Sequence, residues 1–343
     1  MKMNMEQWTA ELLAAPVKKA FPILSFPSVQ LLNCSVNTLI NDSSIQAEGM
    51  KAIADCTDSG GAVSLMDLSV EAECFGVPIH VSDDEIPTCT GAVISMDTDE
   101  DGRMAQAQAL QVPEIGAGRT QIYIDAIEKA MDLITDRPVF AGVIGPFSLA
   151  GRLVSVTESM IYCYDEPDML HTVLEKCTEF IIRYIRAYKA AGANGVVIAE
   201  PLAGLLSPTL SREFSGHYCK RIVEAVRDEH FAVIMHNCGN TAAITLDSIL
   251  SCGANAYHFG DAVEMLDILS KVPSNVICMG NISPARQFRG GTPESIREAT
   301  MNVMEACCGY SNFVISSGCD IPPMSRWDNI RAFFQAVEDF YRK

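Results

Sequence analysis

The sequence predicts an α/β fold, a (β/α)8 TIM barrel formed by residues 1–343 as one domain, with an N-terminal helical extension and an insertion near residues 76–118. Three observations predict it. Short apolar stretches near residues 22, 64, 141, 197, 233, 257, 278 and 314 lack the alternation of half-exposed strands and read as strands covered on both faces. Helical patterns separate these eight stretches, and eight alternating units close into a barrel. The doubly wound alternative wants a glycine fingerprint after its first strand, and none is there; Gly116-Ala117-Gly118 follows no clear strand and reads as a turn.

The segment to about Leu13 reads as a short amphipathic helix, the extension. Ala20 to Phe26 is apolar and strand-like, broken by Pro22 and Pro27. A helical stretch from Ile45 to Asp55 leads to the buried run Ala62-Val63-Ser64-Leu65-Met66, which ends at Asp67. Residues from Gly76 to about Gly118 are turn-rich and acidic, with Asp83, Asp84 and Glu85 and then Asp97 to Asp101, and read as an insertion covering one face. From residue 121 the order is regular. Ile124, Ile127, Met131 and Ile134 recur at helical spacing, and Pro138 to Ile144 is a strand closed by Gly145-Pro146. A long helix after Asp168 buries Val173, Cys177, Ile181, Tyr184 and Tyr188 and precedes Val196-Val197-Ile198, which ends at Glu200-Pro201. A helix from about Ser211 to Glu229 precedes the strand Phe231 to Met235. Two shorter helices, near Ile244 to Leu250 and near residue 264, precede the strands Ala256 to Phe259 and Val276 to Met279, which end at Gly260-Asp261 and Gly280-Asn281. Thr292-Pro293 opens the next helix with a cap residue and a proline at the first helical position. Phe313-Val314-Ile315 is the last strand, and Ile330, Phe333, Phe334 and Val337 are the apolar stripe of a final helix.

Composition bounds the partners. With 25 Lys and Arg against 43 Asp and Glu, the formal charge of −18 argues against sequence-independent binding of nucleic acid or of an anionic membrane. It leaves room for a basic patch on a partner protein. The 13 cysteines are an odd, scattered set, and most sit in apolar helix or strand patterns, as Cys177 and Cys278 do, which suits a reducing cytoplasm. Met1 to Leu24 carries no basic segment followed by a long apolar core, so no signal peptide is expected, and no apolar run approaches the roughly 20 residues of a membrane helix.

In such barrels the active site lies at the C-terminal ends of the strands. There the sequence places Asp67, Glu200, His236, Cys238, Asp261, Asn281 and Cys319, polar groups at the exits of otherwise apolar strands. His236 and Cys238 are two apart on a strand and share one face, and Cys319 converges from the strand that closes the barrel. One imidazole and two thiolates suit zinc, with a fourth position open to water or substrate. A second pair, His217-Tyr218-Cys219, falls in a predicted helix, where residues two apart point about 200° apart and cannot share an ion. His80, His171, His230 and His258 read as surface or satisfied core residues, and Cys307-Cys308 as helix packing. Glu200 has two readings: a fourth ligand or proton acceptor, or a carboxylate hydrogen-bonded to loop amides. Asp67 is the other candidate catalytic carboxylate, and Asp261 and Asn281 are candidate cofactor-binding residues. Arg286 and Arg289 lie where barrels often bind anions, although solvated arginines are the plainer reading.

His236-x-Cys238-Gly239 with the distant Gly318-Cys319, in a barrel of this length, resembles the uroporphyrinogen decarboxylase superfamily, and within it the branch of methylcobalamin:coenzyme M methyltransferases. Supporting pieces are Asp67-Leu68-Ser69-Val70-Glu71-Ala72-Glu73, Gly145-Pro146-Phe147, Glu200-Pro201, Gly280-Asn281-Ile282-Ser283-Pro284 and Cys319-Asp320-Ile321-Pro322-Pro323. The resemblance implies that His236, Cys238 and Cys319 hold Zn2+. It also implies methyl transfer between a corrinoid (methylcobalamin) on a small partner protein and a small thiol such as coenzyme M. Zinc lowers the pKa of a bound thiol, which suits that chemistry. No Asp-x-His-x-x-Gly corrinoid-holding element occurs in the chain, so a corrinoid would arrive on a partner protein docked over the barrel mouth. Two other functions are weighed. Porphyrinogen decarboxylation wants an arginine-rich segment after the first strand, where this chain has Phe26-Pro27-Ser28-Val29-Gln30-Leu31. A non-catalytic zinc barrel that binds a corrinoid protein would have no open coordination position.

Overall fold

Seven parallel strands lie side by side in one curled sheet, in the order in which they occur along the chain. The computed structural model describes residues 3–342. β1 (Ala62–Val63) opens the sheet. The antiparallel hairpin of β2 (Ile79–His80) and β3 (Thr88–Cys89) stands apart from it. The sheet continues through β4 (Val139–Ile144), β5 (Gly195–Ala199), β6 (Ala232–Asn237), β7 (Ala256–Phe259), β8 (Ile277–Ile282) and β9 (Phe313–Ser317), with helical segments in every crossover after β4. Strand parity splits the core in two. Phe140, Val197, Ile234, Met279 and Val314 pack inside the curl. Their neighbours Val139, Val196, Val233, Cys278 and Ile315 pack outward in the layer shared with the helices.

The strand expected near residue 22 is where the structure departs from the regular barrel. Ala20 to Leu24 runs extended between β9 and β1 but forms no ladder. Pro22 has no N–H to donate, so the gap is bridged by single bonds. Phe21 N–H donates to the Ile315 carbonyl at 3.0 Å, and Gly60 N–H donates to the Ala20 carbonyl at 2.8 Å. Hydroxyls supply the rest: Ser316 Oγ donates to the Phe21 carbonyl at 2.7 Å, and Ser317 Oγ accepts from Ile23 N–H at 3.0 Å. Phe21 and Ile23 still point into the curl, so the segment occupies the eighth barrel position without being a strand.

The N-terminal extension is the helix Met5–Ala14, capped by Asn4, whose side chain accepts from Gln7 N–H at 2.8 Å. It covers the end at which the strands begin: Met5 N–H donates to the Glu229 carbonyl, and the Trp8 ring lies 5.7 Å from that of Phe140. In the insertion the acidic run expected to be turn is a helix start. Asp99 caps the helix Glu100–Ala109 by accepting from Gly102 N–H, and Glu100 and Asp101 fill its first turn, where acidic residues meet the positive end of the helix. No helix among the described residues is long and apolar enough to cross a membrane.

Candidate functional site

Strand parity also delivers the site. Ala232 and Ile234 point into the curl, so His236 stands in the top inward layer of β6, and Cys238 leaves the strand end two residues later. Cys319 enters from the turn after β9. The ligand atoms of the three lie within 4.8 Å of one another, and Cys319 Sγ is 3.3 Å from His236 Nε2. A tetrahedral zinc bonded at ~2.0–2.3 Å would hold its ligand atoms about 3.5–3.8 Å apart, so this N, S, S set fits the ion with little movement. Hydrogen bonding from Cys319 holds the Cys238 thiol well below its ordinary range, and the same interaction, reinforced by burial, pushes Cys319 well up. The look-alike pair stays apart: on the helix His217–Val226, His217 is exposed and Cys219 is buried.

His258, read from the sequence as surface or satisfied core, is buried and is part of the site. It faces His236 directly across the β6–β7 register, with the two Nδ1 atoms 2.8 Å apart. His258 Nε2 lies 2.7 Å from Ser316 Oγ, whose hydroxyl donates to the Phe21 carbonyl. Burial pushes His258 well below the usual histidine range, so its ring is neutral. The carbonyl can only accept, which fixes every proton upstream. Ser316 accepts from His258 Nε2–H, His258 Nδ1 accepts from His236 Nδ1–H, and His236 Nε2 is left with its lone pair toward Cys319. An outer hydrogen bond of this kind orients a metal-binding imidazole and fixes its tautomer. Gly260 leaves room for the arrangement, because a Cβ there would lie 2.5 Å from Cys238 Cα.

The other residues expected at the site hold it together from outside. Glu200 is buried and accepts from Phe147 N–H at 2.8 Å, Ser148 N–H at 2.9 Å and Ser215 Oγ at 3.0 Å, which is the loop-amide reading. Burial pushes its carboxyl up, against those hydrogen bonds. A Cβ at position 145 would lie 2.3 Å from Glu200 Oε2, so Gly145 is needed for this approach. Asp67 accepts from Arg119 Nη1–H, Tyr123 Oη–H and both the amide and hydroxyl of Ser69. Neither carboxylate lines the cavity beside the three ligand candidates: their oxygens are engaged by donors from the surrounding wall. The same holds for the two candidate cofactor contacts. Asn281 donates to the Gly260 and Val263 carbonyls, tying the exit of β8 to that of β7, and Asp261 pairs with Arg286 at 3.3 Å. Arg289 pairs with Glu85 at 2.6 Å.

A cavity of about 250 Å3 opens beside the three metal-ligand candidates. Met66, Leu68 and Ala199 form its apolar wall, Ile86, Pro87, Thr88 and Cys89 of the hairpin cover it, and Arg152 and Asp320 are its charged residues. The insertion thus shapes the cavity, as a segment covering one face. Burial pushes the Asp320 carboxyl well above the usual range, and neither of its oxygens has a hydrogen-bond partner. Arg152, which nothing in the sequence singled out, comes from the helix Pro146–Val154, whose start Glu200 anchors.

Comparison with known proteins places this architecture. The family model described as Uroporphyrinogen decarboxylase (URO-D) matches residues 30–340. Among similar proteins, the methylcobamide:CoM methyltransferase MtbA of Methanosarcina acetivorans is 25% identical over 278 residues, covering 80% of this chain and 78% of that protein. A uroporphyrinogen decarboxylase of Coxiella burnetii is 28% identical over 289 residues, covering 81% and 77%. A solved methyltransferase from Methanosarcina mazei superposes with a TM-score of 0.84 at 23% identity over 98% of both chains and shares the fold. A family match over nearly the whole barrel settles membership: this chain belongs to the uroporphyrinogen decarboxylase (URO-D) family.

Proposed function

We propose that this chain is a zinc-dependent methyltransferase that moves a methyl group between a corrinoid on a small partner protein and a small thiol, of which coenzyme M is one example. The observation that carries this reading is the convergence of His236, Cys238 and Cys319 on the wall of a small apolar cavity. Relatives named as methyltransferases and as decarboxylases are about equally similar, so the site has to discriminate between them. Three metal-type donors on one cavity suit thiol activation. A many-carboxylate porphyrinogen wants several cations and a large pocket, whereas this cavity has one arginine and about 250 Å3, below the ~300 Å3 at which drug-sized ligands begin to fit.

Bound zinc would lower the pKa of a thiol at the open fourth position, making it a nucleophile near neutral pH. The protein's part is placement and exclusion. His258 and Ser316 fix the His236 tautomer, the hairpin residues Ile86 to Cys89 keep water from the sulfur, and Glu200 holds the helix that carries Arg152. The thiol would release its proton to solvent, its sulfur would bond to the methyl carbon as the cobalt–carbon bond breaks, and the electron pair of that bond would stay with the corrinoid as cob(I). A corrinoid is far larger than the cavity, so it would meet the thiol at the mouth from a separate carrier. The test is anaerobic demethylation of methylcobalamin by zinc-loaded protein against a panel of thiols and folates. Loss of the methyl-cobalt absorbance that requires both zinc and a thiol is expected. Carbon dioxide release from uroporphyrinogen, with no demethylation for any acceptor, would overturn the proposal.

A further inference from the structure

We propose that Arg152 selects the acceptor by binding the anionic end, sulfonate or carboxylate, of a short thiol whose sulfur faces His236, Cys238 and Cys319. This deepens the methyl-transfer reading and rests on it for the sulfur end alone. Arg152 makes no hydrogen bond or ion pair among the described residues, and its Nε is withdrawn from solvent without an acceptor. Acidic residues are not scarce, at 43 against 25 basic ones, and nearby arginines use them: Arg119 takes Asp67 and Glu73, and Arg103 takes Glu166. A guanidinium left unpaired in so acidic a chain, with one nitrogen buried, is a group whose partner arrives from outside.

Its position says what that partner is. Arg152 is the one Lys or Arg on the wall of the cavity that also holds the metal-ligand candidates, so one molecule can reach both ends. The wall of the same cavity also carries the apolar side chains Met66 and Leu68, which suit a methylene linker. At about 250 Å3, or roughly eight water molecules at ~30 Å3 each, the space admits a linker of few atoms. The planar guanidinium fork matches the oxygens of a carboxylate or sulfonate, gives a neutral hydroxyl only a single weaker hydrogen bond, and repels a cationic end. Asp320 lines the same cavity with both oxygens withdrawn from solvent and without a hydrogen-bond partner, so a cationic thiol is included in the test as the competing class.

Isothermal titration of the zinc-loaded full chain tests the proposal with 2-mercaptoethanesulfonate, 3-mercaptopropionate, neutral 2-mercaptoethanol and cationic cysteamine. Both anionic thiols, or whichever of the two is the natural class, are expected to bind at least about tenfold more tightly than 2-mercaptoethanol, with cysteamine no tighter. Arg152→Met should erase that advantage while leaving the 2-mercaptoethanol affinity in place, and Arg152→Lys should keep part of it. Equal affinities for anionic and neutral thiols in the wild-type protein, or equal weakening of both in Arg152→Met, would overturn the assignment. Ethanesulfonate and propionate, which lack sulfur, separate the two claims through their effect on thermal denaturation. If they stabilise wild-type but not Arg152→Met protein while thiols bind no better than they do, the arginine site stands and thiol transfer falls. If all four thiols bind alike at zinc, thiol transfer stands and the arginine assignment falls.

Discussion

Cys319→Ala is expected to lose bound zinc on dialysis against a chelator under conditions in which wild-type protein keeps one ion per chain, and to lose methylcobalamin demethylation with it. Three donors converge within 4.8 Å, and removal of one leaves an imidazole and a single thiolate. The drop in zinc affinity should exceed the roughly 10–100-fold that follows loss of an outer hydrogen-bond partner, because a direct ligand is removed. The fold should persist, since Cys319 lies beyond the end of β9 and is only half-buried. Cys219→Ala is the matched control, from the His-x-Cys pair on the helix, and it should leave metal content unchanged. Metal analysis of the two variants beside wild type reads this directly. Equal zinc in all three would mean that the ion binds elsewhere or not at all.

Arg119→Met should cost about 3–5 kcal/mol of stability, read as a lower urea midpoint. Arg119 is buried, bridges Asp67 and Glu73, and donates to Ser69 Oγ at 2.8 Å. With the guanidinium gone, the buried Asp67 carboxylate keeps only Tyr123 and Ser69 as donors, and its charge is left uncompensated. The double variant with Asp67→Asn should recover part of the loss, because removing both members of a buried pair costs less than removing one. An unchanged midpoint in Arg119→Met would show that water replaces the arginine at no cost.

The barrel was legible because its strands are covered on both faces and therefore read as unbroken apolar runs, as Val139–Ile144 and Gly195–Ala199 do. Pro22 was visible as a break, but the hydroxyl-mediated bridge through Ser316 and Ser317 was not, because hydrogen-bond partners across the closing seam are nearly the whole chain apart. Asp99-Glu100-Asp101 looked like turn chemistry, and a helix start uses the same residues. At the site, the spacing of two between His236 and Cys238 carried the convergence because parity on a strand is readable from sequence. His258 shows the limit. It is satisfied, as expected, but its partner is a ligand candidate, and only the β6–β7 register reveals that. Glu200 directly follows β5 and Asp67 comes four residues after β1, and which donors reach their oxygens depends on loops without periodicity. Arg152 had no signal at all: an arginine in a helix reads as solvated until the cavity beside it is seen.

On the proposed function, a zinc ion held by His236, Cys238 and Cys319 takes a substrate thiol at its fourth position. Zinc-edge X-ray absorption on the loaded protein, before and after addition of saturating 2-mercaptoethanesulfonate, tests it most directly. One nitrogen, two sulfurs and one lighter atom are expected at the start, then about three sulfurs at ~2.3 Å once the thiol is present. A sulfur count that does not change, or a first shell already filled by four protein atoms, would contradict it.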